Sequence, residues 1–220
     1  MLFPHSFQIS FNMDKKILKA MYANVVANDE LRPVMNGVYF DEEGECVGSD
    51  GHLLVVYKCG KTNFDGKIIH LSGEEIEGKY PNYRSVIPKE RVEYEHRIDL
   101  KELYAACQYH LRKETSSPDD RVSILHKTYK VKSLVSILTV FNVAGKLKEA
   151  VLYKSDQTTA AVIESKDITA IIMPCQHFEE SVDVQIDEGS PMTISYENLI
   201  NDYAFNSWRK PEIKDWMDEA

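Results

Sequence analysis

Most of the short patterns that announce chemistry are missing from this chain of 220 residues. It has no GxGxxG and no GxxxxGK[ST], the glycine-rich turns that cradle phosphates, so nucleotide binding has no support. It has no HExxH, no HxH and no Cys-x-x-Cys. The seven histidines (His5, His52, His70, His96, His110, His126 and His177) fall in different segments. Metal ligation therefore has no spacing behind it, and neither a metal nor another cofactor is expected. No GxSxG surrounds a serine, which removes the nucleophile elbow. No apolar run approaches the roughly eighteen residues of a membrane span. The start, MLFPHSFQISFNMDKK, lacks the basic-then-apolar order of a secretion signal. Cys46, Cys59, Cys107 and Cys175 could form two disulfides. Without an export signal, the expectation is buried or idle thiols in a reducing cytoplasm, with no membrane partner.

What is present is an ordinary globular balance, 43% hydrophobic and 28% charged, enough to build a core. The net charge of −9 argues at first against nucleic acid as a partner. Its distribution argues otherwise. The chain holds 26 basic and 35 acidic side chains, of which residues 177–220 hold 3 and 11, leaving 23 and 24 in residues 1–176. The body is thus near neutral and the acid is concentrated in the C-terminal segment, so a local basic face is compatible with the total.

The elements alternate in a recognisable order. FQISFN (7–12) alternates as a short strand does. Asn12 or Asp14 then caps a helix to about Ala27, with Ile17, Leu18, Met21 and Val25 at helical spacing. VMNGVYFD, ECVGSD and HLLVVYK read as short strands joined by tight turns, followed by KIIHL (67–71). The order then partly recurs. Asp99 caps LKELYAACQYHLRK, the polar loop ETSSPDD follows, RVSILH (121–126) reads as a strand and VKSLVSILTVFN (131–142) as an apolar helix. Three strands, LKEAVLYK, TTAAVIES and DITAIIMP, complete the unit. Beyond Cys175, SVDVQI is a strand candidate and YENLINDYAF a helix candidate. The expected class is α+β, with strand–helix–antiparallel-strands units and helices on one face of the sheets.

Ser49, Asp50 and His52 stand together in SDGH. Neighbouring side chains on one strand or turn diverge, whereas a hydrolytic triad must converge in space. Asp-Gly between two β runs is a hairpin signal, so these residues read as a turn and no catalytic residue is expected. The remaining groups of interest are basic. Lys15, Lys16 and Lys19, then Lys101, Arg112 and Lys113, then Lys130 and Lys132, lie on predicted helices, and Arg32 precedes the first strand pair. Solvated helix faces account for such lysines, and phosphate contact is the functional alternative.

Three stretches together resemble the bacterial sliding clamp family, the beta subunit of DNA polymerase III. RPVMNGVYFDEEGECVGSDGHLLVV (32–56) is similar to the family's NG strand leading to T-D-G-H-R-L. GKYPNYRSVIP is similar to G-x-[FY]-P-[DN]-Y-x-x-V-[IL]-P, and ITAIIMP to its final Y-V-V-M-P strand. The three keep the family's order and span roughly residues 8–176. The resemblance implies a DNA-clamp-like fold with two reduced domains, 1–88 and 89–176, and an acidic extension, 177–220. It implies a processivity role without catalysis, with duplex DNA contacted without regard to sequence. It also implies a hydrophobic pocket for polymerase or clamp-loader peptides, built from Met35, Ser49, Gly51, His52, Leu53, Leu54, Pro81, Tyr83, Arg84, Val86, Ile171, Met173 and Pro174. Leu53 stands where the family has Arg, and Ser85 where Arg is frequent. A three-domain family chain dimerises into a six-domain ring. Two reduced domains would need a homo-trimer, another homo-oligomer, or no ring at all. In that last case the chain would be a clamp-derived interaction module.

Overall fold

The computed structural model describes residues 14–93, 98–113, 116–117, 119–124, 127–154, 160–175 and 184–186. The expected strand at 7–12, the helix within 195–205 and most of the acidic extension lie outside the described residues. Asp14 caps helix α1 (Lys15–Asn24), its carboxylate accepting the Lys16 N–H at 2.8 Å. The helix stops three residues short of the expected Ala27. β-Branched Val25 and Val26 follow, and the Ala27 N–H leaves for the Met35 carbonyl. Asp99 caps α2 (Leu100–Leu111), accepting from the N–H groups of Lys101 and Glu102. Helix α3 (Val131–Val143) starts on Lys130 with no side-chain cap. It is held by burial instead: Val131, Leu134, Ile137, Leu138, Val140 and Phe141 are all buried.

The strands are β1 (Gly37–Phe40), β2 (Glu45–Ser49), β3 (Leu53–Lys58), β4 (Ile68–His70), β5 (Glu75–Ile76), β6 (Val92–Glu93), β7 (Arg121–Ile124), β8 (Lys127–Lys130), β9 (Val151–Lys154), β10 (Ala161–Glu164), β11 (Ile168–Ile172) and β12 (Val184–Ile186). Nine of them form one antiparallel sheet in the order β5-β4-β1-β2-β3-β11-β10-β9-β6. Its two halves meet at β3 and β11, where Leu53 faces Ile172 and Tyr57 faces Ile168. The sheet therefore runs through both expected domains, whose boundary at 88/89 falls in the chain between β5 and β6. A smaller sheet has the order β12-β7-β8, with β12 parallel to β7. The strand expected within SVDVQI is thus present and anchors part of the acidic segment.

Side chains alternate across the large sheet as the pleat requires. Val38, Phe40, Val55, Ala170 and Ile172 face the helices and share one core with Met21, Leu103 and Phe141. Helix α3 lies between α1 and α2 and also touches β3, β8 and β11. On the other face, Val47, Leu54, Val56 and Ile171 pack under Tyr80 and Tyr83 of the segment before β6. Tyr80 stacks on Tyr39 with ring centroids 5.1 Å apart. Strand β3 is covered on both faces, which is why LLVVY reads as an unbroken apolar run. Strands β5, β6 and β8 escaped the sequence reading. Two are only two residues long, and β8 (KTYK) has a single buried residue. Among the described residues no helix is long and apolar enough to cross a membrane.

The expectation of four free thiols is corrected. Cys46 and Cys59 form a disulfide with their Cα atoms 5.9 Å apart, leaving Cys107 and Cys175 free. Cys46 faces Tyr57 across the β2–β3 ladder, and Cys59 follows two residues later on the same face. The hairpin itself makes them neighbours, which their spacing of 13 residues does not reveal. Burial pushes the Cys107 thiol up to about 12, so it is inert. Denatured without reductant, the chain should alkylate only at Cys107 and Cys175. Cys46→Ser should lower the unfolding free energy by about 2–4 kcal/mol in urea titrations, the usual range for a closed loop of this size.

Candidate functional site

The SDGH segment is a closed hydrogen-bonded turn between β2 and β3. The Ser49 hydroxyl donates to the Leu53 carbonyl at 2.7 Å and accepts the Gly51 N–H at 3.0 Å. Asp50 Oδ1 accepts the N–H groups of His52 and Leu53 at 2.7 and 2.8 Å. Every polar atom that a hydrolytic reading would require of Ser49, and one oxygen of Asp50, is engaged in holding the backbone. Gly51 has φ +92°, and a Cβ there would collide with the Arg32 guanidinium. Arg32 in turn is held by Asp29, Nε to Oδ2 at 2.7 Å, and its hydrogen bond keeps the Asp29 carboxyl below the usual range. This member of the expected DNA-contact set thus braces the turn.

The turn is extended sideways by the end of β11. Past the Leu53–Ile172 pair, the Met173 N–H donates to the His52 carbonyl at 3.0 Å, and the Cys175 N–H to the Thr128 carbonyl of β8 at 2.7 Å. Residues 173–175 therefore tie the large sheet to the small one. Beside them a cleft of about 850 Å³ opens between the end of α1, the turn, β7 and the start of α3. Gly51, His52, Leu53, Met173 and Pro174 of the expected peptide pocket line it, together with Lys132 of the expected DNA set. Asn24, Asn28, Arg121, Lys130 and Ser133 also line it. Sequence reasoning did not place these residues together, because only the packing of α1 beside α3 does so.

The other expected pocket residues lie elsewhere. Ser49 is buried under the turn, and Met35 is buried before β1. Leu54, Ile171 and Tyr83 belong to the cluster on the helix-free face of the sheet; Val86 and Pro81 are exposed in the segment around Tyr83. Arg84 sits at the opposite end of β2 from the turn. Its guanidinium spans both oxygens of Asp41 at 3.1 and 3.2 Å and reaches Glu43 and Glu45 at 3.0 Å. Burial works to raise the Asp41 carboxyl, but Arg84 and the Glu43 amide outweigh it, and the net shift is downward. Burial, then the carboxylate of Glu45 that its hydroxyl contacts at 2.7 Å, pushes the Tyr83 phenol far above its usual range.

The basic candidates are spread over the helical layer. Lys15, Lys16 and Lys19 are exposed on α1, Lys101 on α2, Arg112 at the end of α2 and Lys132 in the first turn of α3. Lys113 lies over the Tyr109 ring, 5.2 Å from its centroid. Among the described residues no group of three or more His, Cys, Asp or Glu side chains is placed to hold a metal ion.

No protein-family model matches the sequence, and no curated protein matches it. Solved structures do match the fold. The DnaN sliding clamp of Bartonella birtlesii bound to griselimycin superposes with a TM-score of 0.57 at 16% identity, over 80% of this chain and 69% of that one. The sliding clamp of Bacillus subtilis gives 0.56 at 17% identity, over 80% and 67%. The Helicobacter pylori beta clamp bound to a DNA ligase peptide gives 0.57 at 14% identity, over 80% and 68%. The chain has a sliding-clamp fold, α+β with its helices on one face of the sheet.

Two substitutions test this geometry. Gly51→Ala forces a left-handed backbone on a Cβ and displaces Arg32, and should cost about 1–2 kcal/mol of stability. Arg84→Ala removes the cation that holds Asp41 ionised, and should cost about 1–2 kcal/mol at pH 7. Because the folded-state carboxyl lies below its ordinary 3.8, that stabilisation is present above pH 4 and is lost as pH falls through the lowered value. Urea midpoints of parent and variant should therefore converge in acid.

Proposed function

We propose that this protein is a sliding-clamp-like accessory of DNA replication, a processivity factor without an active site, that contacts duplex DNA through its helical layer. The observation that carries this reading is the arrangement of α1, α3 and α2 side by side on one face of a continuous sheet. Exposed Lys15, Lys16, Lys19, Lys101 and Lys132 stand on that layer. Such lysines supply phosphate contacts that hold DNA without reading it. The polar atoms that Ser49 and Asp50 spend on their turn argue against hydrolysis. The likeness to clamps over 80% of the chain supports the same role. A ring would form by joining the outer strands β5 and β6 of neighbouring copies, since sheet edges present unpaired backbone groups. Three copies of two reduced domains would close it.

The second part of the proposal is partner recognition. The Helicobacter pylori clamp named above was solved with a DNA ligase peptide. Here half-exposed Met173 at the His52–Met173 junction and exposed Val86 in the separate segment around Tyr83 offer apolar anchors. Those side chains also favour the alternative reading, a clamp-derived interaction module that binds peptides without encircling DNA.

Light scattering of the full chain, alone and on primed duplex, separates the two. A particle of about 75 kDa, three times 25.2 kDa, is expected for the ring. A chain that stays monomeric with DNA present would leave only the interaction module. DNA affinity should fall linearly with log salt, with a slope of about −0.9 per phosphate contacted. The combined variant Lys15→Glu, Lys16→Glu, Lys19→Glu should weaken binding at least tenfold without shifting the melting temperature.

A further inference from the structure

The disulfide between Cys46 and Cys59 sits where a change in its state reaches the start of α1. Cys46 is fully buried and pairs with Tyr57 across the β2–β3 ladder. The Tyr57 hydroxyl accepts the N–H of Asp14, the residue that caps α1, at 3.3 Å. Cys59 is 3% exposed and lines a second cleft, of about 420 Å³, whose walls include Asp14, Ile17 and Tyr57. The cap of α1, the first buried residue of that helix and one half of the disulfide thus border the same opening.

Backbone bonds keep the two sulfurs together whatever their state. The N–H groups of Cys59 and Gly60 both donate to the Gly44 carbonyl, at 3.0 and 2.9 Å, and close the chain after β3 onto the turn before β2. Thiols held in this way re-form their bond, because each meets the other at high effective concentration. They also crowd each other. Two thiol sulfurs need a van der Waals separation that a bonded pair does not, and a close-packed interior has little volume to spare. The side that can give is the cleft and the start of α1. Beyond the Asp14 cap, the first turn of that helix has no acidic residue. Exposed Lys15, Lys16 and Lys19 stand near the positive end of its peptide dipoles, where cations are disfavoured.

We propose that the Cys46–Cys59 disulfide is a reversible redox switch that sets the order of the α1 start, and with it the hold of Lys15, Lys16 and Lys19 on duplex DNA. The effect on DNA rests on the function proposed above; the change at α1 does not. A chain at work on DNA meets a thiol pool that reduces disulfides, and those found there are mostly transient. Reduction begins at Cys59, the half that borders the cleft. A thiolate of a dithiol reductant bonds to Cys59 Sγ, the Cys46–Cys59 bond breaks, and its electron pair leaves on Cys46 Sγ, which takes a proton. The second thiolate of the reductant then displaces Cys59 Sγ, which is protonated in turn, and the reductant departs as a disulfide.

Amide hydrogen exchange of the full chain, oxidised and after treatment with dithiothreitol, tests the switch. Alkylation of the same samples should count two thiols before treatment and four after. The amides of residues 16–19 should exchange at least tenfold faster in the reduced chain, while those of 137–141 in α3 keep their rates. Four thiols with unchanged exchange at 16–19 would overturn the switch, as would a disulfide that survives the reductant in the folded chain. Duplex affinity at low salt tests the consequence. Reduction should weaken binding at least fivefold, and oxidised dithiothreitol should restore it. The variant Cys46→Ala, Cys59→Ala should not respond to reductant. Equal affinity of the oxidised and reduced parent, or the same response in the variant, would overturn the regulation. Absence of DNA binding in either state would overturn the proposed function and the regulation with it, while the exchange rates still decide the switch.

Discussion

The antiparallel pairing of β3 with β11 joins residues more than a hundred positions apart, and the rest of the architecture follows from it. Five pairs, from Leu53–Ile172 to Tyr57–Ile168, turn two sheets into one. The cost of closing so long a loop grows only logarithmically with its length, so a short ladder with both faces buried is enough to hold it. Once β3 and β11 are paired, α1, packed on β1 and β2, lies beside α3, packed across β3 and β11. The turn after β2 and the chain after β11 are likewise brought to the same edge.

That shared edge is where the two sheets connect. The Met173 N–H continues the ladder to His52, and the Cys175 N–H crosses to β8, so one short segment joins both sheets and floors the cleft. Its rigidity comes from local chemistry. Ser49 and Asp50 satisfy the turn, Gly51 permits its conformation, Arg32 covers it, and the disulfide between Cys46 and Cys59 ties the open end of the same hairpin. The Ser49 hydroxyl and one Asp50 oxygen are thereby committed to the backbone of the turn.

Much of this was legible in the residues. Apolar spacing marked α1 and α2, because burial on one side imposes the helical period, and a strongly apolar run marked α3. Asp14 and Asp99 marked two of the starts, and the NG and DG signals marked the first strands and turn. The third start, at Lys130, carries no capping residue and was legible only from the apolar run behind it. The candidate pocket was less legible. Motif likeness grouped Arg84 with Gly51 and His52, yet the acid cluster of Asp41, Glu43 and Glu45 holds it at the far end of β2. Arg121 carried no local signal, since an arginine opening a strand is unremarkable until a helix packs beside it, and Lys130 read only as one more basic residue on a helix.

The sequence by itself determined the kinds of element, their order, the turn at SDGH and the concentration of acid beyond residue 176. Each of these depends on residues within a few positions of one another, through backbone sterics, capping and periodic burial. Only the tertiary structure decided that nine strands form one sheet, that Cys46 bonds to Cys59, and that Arg121, Lys130 and Lys132 share a cleft with His52. Those facts depend on which distant strands pair and in what register. The free energy for that choice comes from burying both faces of β3 and β11 together, a property of the assembled layers that no local stretch of chain contains.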